Sequence, residues 1–483
     1  MPDIAFSSAR RLAGMIRRGR IGSLDLLDHY LARVEQYNPG LNAIVETDIP
    51  AARRRARDAD RALARGESWG PLHGVPITVK DSFDVAGMPT TWGVPEFRDS
   101  VARSNALSVD RLLGAGAVLF GKTNVPIWLA DAQAFNAIYG RTVSPWDPEL
   151  GPGGSSGGAS AALAAGLTGL ELGSDIASSV RTPAALCGLF GHKPTFGICP
   201  TRGHTVRGNL APLDILVIGP LARSAADLAL SLSLIAGPDG IDGGGYRLTL
   251  PPPRKKRLEE FRIGIVLDHP TAAVEGAVRD RLQALADFLA ARGAAISDAA
   301  RPDFELDDAH RIFDVLLRAA TSARHGDEER DGIAADLAAL PPGTDTKQSR
   351  MMRGITLSHR DWLLLNERRH RMRWKWHEFF QDYDLLLCPV LCTAAFPHSE
   401  TPPYERSMTV DGQERIFMEQ IFWSGYAGVS YLPASVAPIG FTPDGRPVGV
   451  QIVGPHCGDR TTIAFAGLLE KAYQGFVAPP GFE

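Results

Sequence analysis

Between residues 71 and 240 the chain alternates between short apolar runs and segments that space their apolar residues as a helix does. The runs have the length and composition of buried strands, and they read VPITVK, GAVLFG, LTGLELG and LDILVIG. The segments between and after them read NALSVDRLLGAG, GASAALAAG and SAADLALSLSLIAG. Such alternation is typical of a β-sheet covered by helices, so the sequence predicts an α/β fold.

The same strand-then-helix pattern returns later in the chain. RIGIVLDH is followed by VRDRLQALADFLAARG, and DYDLLLCPV and PVGVQIVGP add strand-like runs nearer the end. Because strands far apart in sequence can join one sheet, we expect a single domain over residues 1–483. Its expected parts are an N-terminal helical part (1–70), a core that carries the chemistry (71–240), a linker with a variable, mainly helical part (241–380), and C-terminal strands and a helix that rejoin the core (381–483).

Composition and charge exclude several classes of protein. Hydrophobic residues make up 44% and charged residues 22%, as in soluble globular domains, and a net charge of −4 gives no basic surface for nucleic acid. No stretch reaches the roughly 18–20 apolar residues of a membrane span, and the first 20 residues lack a signal peptide's apolar segment. Five cysteines fit free thiols in a reducing cytoplasm. Cys388 and Cys392 have no second ligand pair nearby, so we expect no metal, and we expect no cofactor.

Residues 151–160, GPGGSSGGAS, place two adjacent serines among glycines. A linker is disfavoured because the run leads directly into a helix of small residues. A phosphate-binding loop would need a lysine after Gly157 or Gly158, and a dinucleotide-binding turn would need a third glycine where Ser156 stands. The remaining interpretation is a pair of glycine-flanked serines at a helix N-terminus. Such a position suits a nucleophile, a proton relay or an anion site.

A second serine cluster lies in LELGSDIASSVRTPAALCG, and Lys80 ends an apolar run upstream. A lysine there is ordinarily a surface residue, but one lysine with two serine clusters resembles the amidase signature family. The resemblance runs from about residue 5 to residue 480. It is carried by GVPITVKD (74–81), GKTNVP (121–126), PGGSSGGASAALAAG (152–166), LGSDIASSVRTPAALCGLFGHKPT (172–195) and GFTPDGRPVGVQIVGP (440–455).

The resemblance implies one large twisted mixed β-sheet covered by helices on both faces, and a Ser–cis-Ser–Lys triad. On the matching positions the nucleophile is Ser179, the relay is Ser155, 24 residues earlier, and the general base is Lys80. A serine hydroxyl attacks only when a base removes its proton, and a lysine serves as base only when neutral. Burial beside apolar strand residues favours the neutral form.

The resemblance also implies an oxyanion hole of backbone N–H groups around the nucleophile. They belong to Ile176, Ala177, Ser178 and Ser179 itself. Four further residues are expected to support the site: Ser156, Ser174, Asp175 and Arg181. For the two serines the alternative is capping of the backbone, and for the charged pair it is contact with the substrate.

One position departs from the family pattern. Members usually have glycine directly before the nucleophile, where this chain has Ser178. If that position needs a positive φ, a serine there costs roughly 1 kcal/mol or more. If it does not, the hole keeps its donor. We expect the oxyanion hole to remain functional, with a slower reaction or a differently shaped site.

The expected activity is hydrolysis of carboxylic amides through an acyl-enzyme, with a small-molecule amide or carbamate as partner and a monomer or homodimer as the assembly. Carbamates and esters are possible main substrates on the same chemistry. A glutamine-hydrolysing subunit of a tRNA-dependent amidotransferase is one alternative, although those subunits typically read RQPA where this chain reads RTPA (181–184). A binding protein with a dead site is another.

The residues expected to bind substrate are Leu129, Phe422, Trp423 and Tyr426, with core packing as the equal alternative for the aromatic ones.

Overall fold

The computed structural model describes residues 4–206 and 209–483, and strands and helices alternate along much of it. The strands are β1 Ile44–Thr47, β2 Pro76–Lys80, β3 Val118–Thr123, β4 Phe135–Asn136, β5 Gly140–Arg141, β6 Glu171–Asp175, β7 Phe190–Lys193, β8 Val217–Ala222, β9 Arg262–Ile265, β10 Ala295–Ser297, β11 Leu385–Pro389, β12 Ser407–Val410, β13 Gln413–Ile416, β14 Ala434–Phe441 and β15 Pro447–Val453.

Fourteen α-helices lie in the described part of the chain. They are α1 Ala9–Arg17, α2 Ser23–Leu41, α3 Ile49–Ala64, α4 Leu107–Gly114, α5 Gly157–Ala164, α6 Arg181–Leu186, α7 Ala225–Ile235, α8 Gly276–Ala291, α9 Leu306–Ala320, α10 Asp327–Ala339, α11 Lys347–Ile355, α12 His359–Asp382, α13 Ile421–Gly428 and α14 Asp459–Ala472. None of these helices is both long enough and apolar enough to cross a membrane.

The main sheet has eight strands in the order β10-β9-β11-β15-β14-β7-β8-β6. The pairs among β10, β9 and β11 are parallel, and the pairs from β11 to β6 are antiparallel. The predicted α/β fold with a large mixed sheet is therefore confirmed. Strands from the end of the chain enter its centre, as the sequence predicts, because β14 pairs with β7 and β15 pairs with β11. The division of the chain into four parts stays a prediction.

The strand that ends at Lys80 belongs to a different sheet from the strand that leads to Ser179. β2 pairs in parallel with β3, which pairs with β1, and the three form a small sheet of their own. The lysine and the nucleophile are therefore carried by different sheets. Lys80 on β2 donates to Ser174 on β6 at 3.1 Å, so the two strands pack together without sharing a ladder.

Two glycines bring the first serine segment close to its neighbours. A Cβ on Gly154 would lie 2.4 Å from the carbonyl oxygen of Gln133. A Cβ on Gly158, in the first turn of α5, would lie 2.3 Å from the backbone nitrogen of Asn124. Both contacts are with backbone atoms, so only glycine allows the segment that carries Ser155 to lie this close to its neighbours.

Candidate active site

Lys80 is the last residue of β2, and its side chain is wholly buried. Its Nζ donates hydrogen bonds to Ser155 Oγ at 2.6 Å and to Ser174 Oγ at 3.1 Å. Ser174 lies on β6, so the lysine bridges the small sheet, the main sheet and the segment before α5. The lysine, the relay serine and one supporting serine that the sequence singles out are therefore brought together.

Burial changes the chemistry of this lysine. Removal from water lowers the pKa of Lys80 to about 7, and the carboxylate of Asp175 acts in the opposite direction. A large fraction of the amine is then neutral near pH 7, so Lys80 can accept a proton there.

Ser155 and Ser156 occupy the residues just before α5. The Gly154–Ser155 peptide bond is cis, and the Ser155 side chain is buried. The backbone N–H of Ser156 donates to the carbonyl oxygen of Ser179 at 3.1 Å, which ties the two serine segments together. The Ser156 hydroxyl has no hydrogen-bond partner in the described part of the chain and does not cap α5. Ser156 therefore contacts the site through its backbone.

The segment that carries Ser179 is held by one carboxylate. Asp175, at the end of β6, accepts from the N–H groups of Ser178, Val180 and Arg181 at 2.9, 3.2 and 3.3 Å. The guanidinium of Arg181 donates to the same carboxylate at 2.8 and 3.0 Å.

Asp175 and Arg181 are both fully buried, so their pairing decides the charge of this region. Burial by itself raises the pKa of Asp175, but the Arg181 guanidinium outweighs it and holds the pKa at about 2. Arg181 also donates to the carbonyl oxygen of Ser424 and to Gln451 Oε1, which anchors the segment to the core. Neither charged side chain is among the residues that line the cavity beside Ser179, and their contacts are those of supporting residues.

Ser178 adopts the left-handed conformation, with φ of 94°. Its N–H is already bound to Asp175 Oδ1, so the expectation that it points into an oxyanion hole is wrong. Within residues 4–206 and 209–483, the N–H groups of Ile176, Ala177 and Ser179 have no acceptor. Three of the four expected donors thus remain free to stabilise a developing negative charge.

A cavity of about 110 Å³ opens beside Ser179. Its wall includes Ile176, Ala177 and Ser178, which the sequence assigns to the oxyanion hole, and Leu129, which it assigns to substrate binding. Sequence reasoning missed much of the remaining wall, whose members come from distant segments: Trp92, Trp128, Asp131, Arg318, Arg324, Phe396, Phe417, Met418 and Ile421.

Phe422, Trp423 and Tyr426 do not line this cavity, so their expected role in substrate binding is not supported. Phe422 stacks on His269, with ring centroids 4.8 Å apart, and the Trp423 indole N–H donates to the carbonyl oxygen of Ala272. Tyr426 packs in the core among other aromatic rings. Phe417, Met418, Gln420 and Ile421 line the cavity, and the aromatic residues that follow Ile421 in α13 pack in the core.

In residues 4–206 and 209–483 no group of three or more histidine, cysteine or acidic side chains is placed to hold a metal ion. Cys388 and Cys392 are buried free thiols, and burial raises the pKa of Cys388 to about 12. Both behave as core residues rather than as ligands.

The sequence model of the Amidase family matches residues 25–463. The chain belongs to the amidase signature family. It is an amidohydrolase, an enzyme that hydrolyses amides.

Among curated relatives, an acylamidase of Rhodococcus erythropolis is 32% identical over 480 residues, which cover 97% of this chain and 96% of the relative. A glutamyl-tRNA(Gln) amidotransferase subunit of Deinococcus radiodurans is 33% identical over 497 residues, covering 96% and 97%. The solved structure of a bacterial aryl acylamidase of the amidase signature family superposes with a TM-score of 0.81 at 25% identity, covering 97% and 96%.

Proposed function

We propose that this amidohydrolase cleaves its substrate through an acyl-enzyme on Ser179, with Ser155 as proton relay and Lys80 as general base. The observation that carries the proposal is the 2.6 Å hydrogen bond between Lys80 Nζ and Ser155 Oγ, made by a wholly buried lysine whose pKa is about 7. A buried lysine that contacts no carboxylate among the described residues is costly to the fold, and a catalytic role explains its retention.

In this reaction neutral Lys80 draws a proton through Ser155 as Ser179 attacks the carbonyl carbon. The oxyanion that forms lies against the free N–H groups of Ile176, Ala177 and Ser179, each worth about 3 kcal/mol to the transition state. The proton then returns through Ser155 to the leaving nitrogen, because an amine leaves readily only when protonated. Water takes the place of the amine and releases the acid by the same relay.

Linear aryl or alkyl amides are the proposed substrates, and carbamates and esters follow as further substrates of the same chemistry. Relatives named for amide hydrolysis support the first of these, since an acylamidase matches over nearly the whole chain. The largely apolar wall of the cavity fits an organic acyl group.

The test uses purified protein, a panel of anilides and aliphatic amides, and a fluorophosphonate probe that labels activated serines. We expect Ser179→Ala to lower amide hydrolysis by about 10⁴-fold or more and to abolish labelling. The matched control is Ser231→Ala, which removes a buried hydroxyl without a partner in the described residues from α7, away from the site, and should leave both readouts unchanged. Activity that survives in Ser179→Ala would overturn the assignment, and a wild-type protein that resists labelling would favour a binding protein with a dead site.

The similarity to amidotransferase subunits supports a second candidate, a glutamine-hydrolysing subunit that passes ammonia to a partner. Against it, Thr182 follows Arg181 where those subunits typically have glutamine. Glutaminase activity that rises when a co-purifying partner is present would favour this second function, whereas hydrolysis of anilides by the isolated chain favours the first.

A further inference from the structure

Two arginines form part of the wall of the cavity that contains Ser179. Arg318 lies in the last turn of α9, and Arg324 lies in the short segment between α9 and α10. Both side chains are partly buried. The rest of the wall is mostly apolar, so the two arginines line a largely apolar cavity.

Neither guanidinium has a counter-ion in the part of the chain that the structure describes, because no Asp or Glu oxygen there lies within 4.0 Å of either one. Arg318 lies over the ring of Tyr404, 4.7 Å from its centroid, and Arg324 Nε donates to His325 Nε2, at 3.4 Å.

Asp314 and Glu329, the acidic groups that act electrostatically on these arginines, are each hydrogen-bonded to another side chain. Asp314, one turn before Arg318, accepts from Lys347 at 2.6 Å and pairs with Arg350 at 3.5 Å. Glu329 pairs with His325 at 2.7 Å.

Asp131 is the one carboxylate in the described part of the cavity wall, and it is also neutralised. Arg406 donates to both of its oxygens, at 3.0 and 2.9 Å. The described wall therefore carries two arginines and one carboxylate, and that carboxylate is paired with Arg406 from outside the wall, so the net charge of the wall is positive.

Leaving these charges unbalanced costs stability. Burial, with a smaller contribution from the charge of Arg324, lowers the pKa of Arg318 to about 10. Burial lowers the pKa of Arg324 as well. The negative end of α9 and the Tyr404 ring offset part of the cost for Arg318. Glu329 acts in the opposite direction on Arg324 from beyond 4.0 Å, so neither arginine has a carboxylate in direct contact among the described residues.

The base of the Arg318 side chain is fixed by the packing of α11 on α9. A Cβ on Gly354 would lie 2.5 Å from Arg318 Cβ, so only glycine allows this approach. A side chain held at its base loses less freedom when its guanidinium binds a ligand.

We propose that the substrate carries a carboxylate, which Arg318 and Arg324 bind while the amide carbonyl lies at Ser179. The proposal rests on the hydrolytic function proposed above and names its substrate class. A guanidinium matches the planar carboxylate with two parallel hydrogen bonds. Because Ser179 and both arginines line the same largely apolar cavity, a short apolar chain can join the carboxylate to the amide. Short monoamides of dicarboxylic acids combine both properties.

The first experiment compares kcat/KM for succinamate, glutaramate and adipamate with that for butanamide, pentanamide and hexanamide. We expect the best carboxylate substrate to exceed its neutral partner by at least tenfold. Arg318→Gln and Arg324→Gln should each lower kcat/KM for that substrate by about 10- to 100-fold, the range for a hydrogen bond to a charged group, and change the neutral amide less than threefold. Arg311→Gln is the matched control, because Arg311 lies on the outer side of α9 with its side chain 44% exposed.

Neutral amides that are preferred, or arginine variants that slow both kinds of substrate alike, would overturn the proposal. A binding measurement separates this failure from failure of the proposed hydrolysis. In Ser179→Ala, glutarate should raise the melting temperature and pentane-1,5-diol should not, and adding Arg318→Gln and Arg324→Gln should remove the glutarate effect. Glutarate binding without hydrolysis of any amide leaves the anion site standing and overturns the hydrolytic function. Hydrolysis of neutral amides without a glutarate effect supports the hydrolytic function and overturns the anion site.

Discussion

Replacing Ser178 with glycine should stabilise the enzyme. Ser178 has a φ of 94°, and its buried hydroxyl has no hydrogen-bond partner in the described part of the chain. A residue with a Cβ in the left-handed region costs about 1–2 kcal/mol. A hydroxyl removed from water without a partner costs about 1 kcal/mol more, at the low end of the usual range because it lies on the cavity wall.

Ser178→Gly removes both costs. Glycine also makes the unfolded chain more flexible, which lowers the free energy of unfolding by about 0.4–1 kcal/mol. The net gain is about 1–2 kcal/mol in the free energy of unfolding. At about 2.1 cal/mol/K per residue, the unfolding entropy of a 483-residue chain makes this a rise of only about 1–2 °C in Tm. The denaturant midpoint, measured with an unchanged m-value, is the more sensitive assay.

Ser178→Ala is the control that separates the two contributions. Alanine removes the hydroxyl but keeps the Cβ, so it should gain less than glycine by about 0.8 kcal/mol, which is the backbone strain less the cost of glycine's flexibility in the unfolded chain. An alanine variant as stable as the glycine variant would refute the backbone argument. Because the Ser178 N–H is occupied by Asp175, the glycine variant should keep kcat within about threefold of the wild type. A large loss of kcat would place this N–H in the oxyanion hole after all.

Three further predictions concern titrating and charged groups. Since only neutral Lys80 can accept a proton and its pKa is about 7, kcat/KM for a neutral amide should rise with pH through a single inflection near 7, and a flat profile between pH 5.5 and 8.5 would contradict the assigned base. Burial raises the pKa of Glu171 from 4.5 to about 8, so the native state holds a proton that the unfolded state releases, and stability should fall as pH rises from 4.5 to 8, by roughly 1 kcal/mol per pH unit. Glu171→Gln, which resembles the protonated acid, should flatten that slope in denaturant titrations, and an unchanged slope would show that another group causes it. Arg181→Met should cost about 3–5 kcal/mol of stability because it leaves Asp175 buried without its ion pair, and native-like denaturation midpoints would argue against that pairing.

The sequence by itself determined those features that depend on neighbours along the chain. Period and composition identified buried strands and helices, and β2 ends at Lys80 as the apolar run predicts. The two serine segments carried the family resemblance because their glycines and small residues suit close backbone contacts that few other arrangements require. Even the strain at Ser178 was foreseeable, since the position departs from a glycine pattern and its φ is 94°.

Tertiary structure alone decided which residues form the cavity and what charge it carries. The apolar segment around residues 417–426 contains both cavity-wall and core residues. Local sequence does not distinguish Phe417, in the wall, from Tyr426, in the core, because the difference depends on which distant segments pack against each side chain. The placement of β2 in a separate sheet has the same origin, since pairing partners lie far away in sequence. Arg318 and Arg324 look like ordinary surface charges in the sequence. Their significance lies in the absence of an acid within reach among the described residues, and that absence depends on distances that only the folded chain defines.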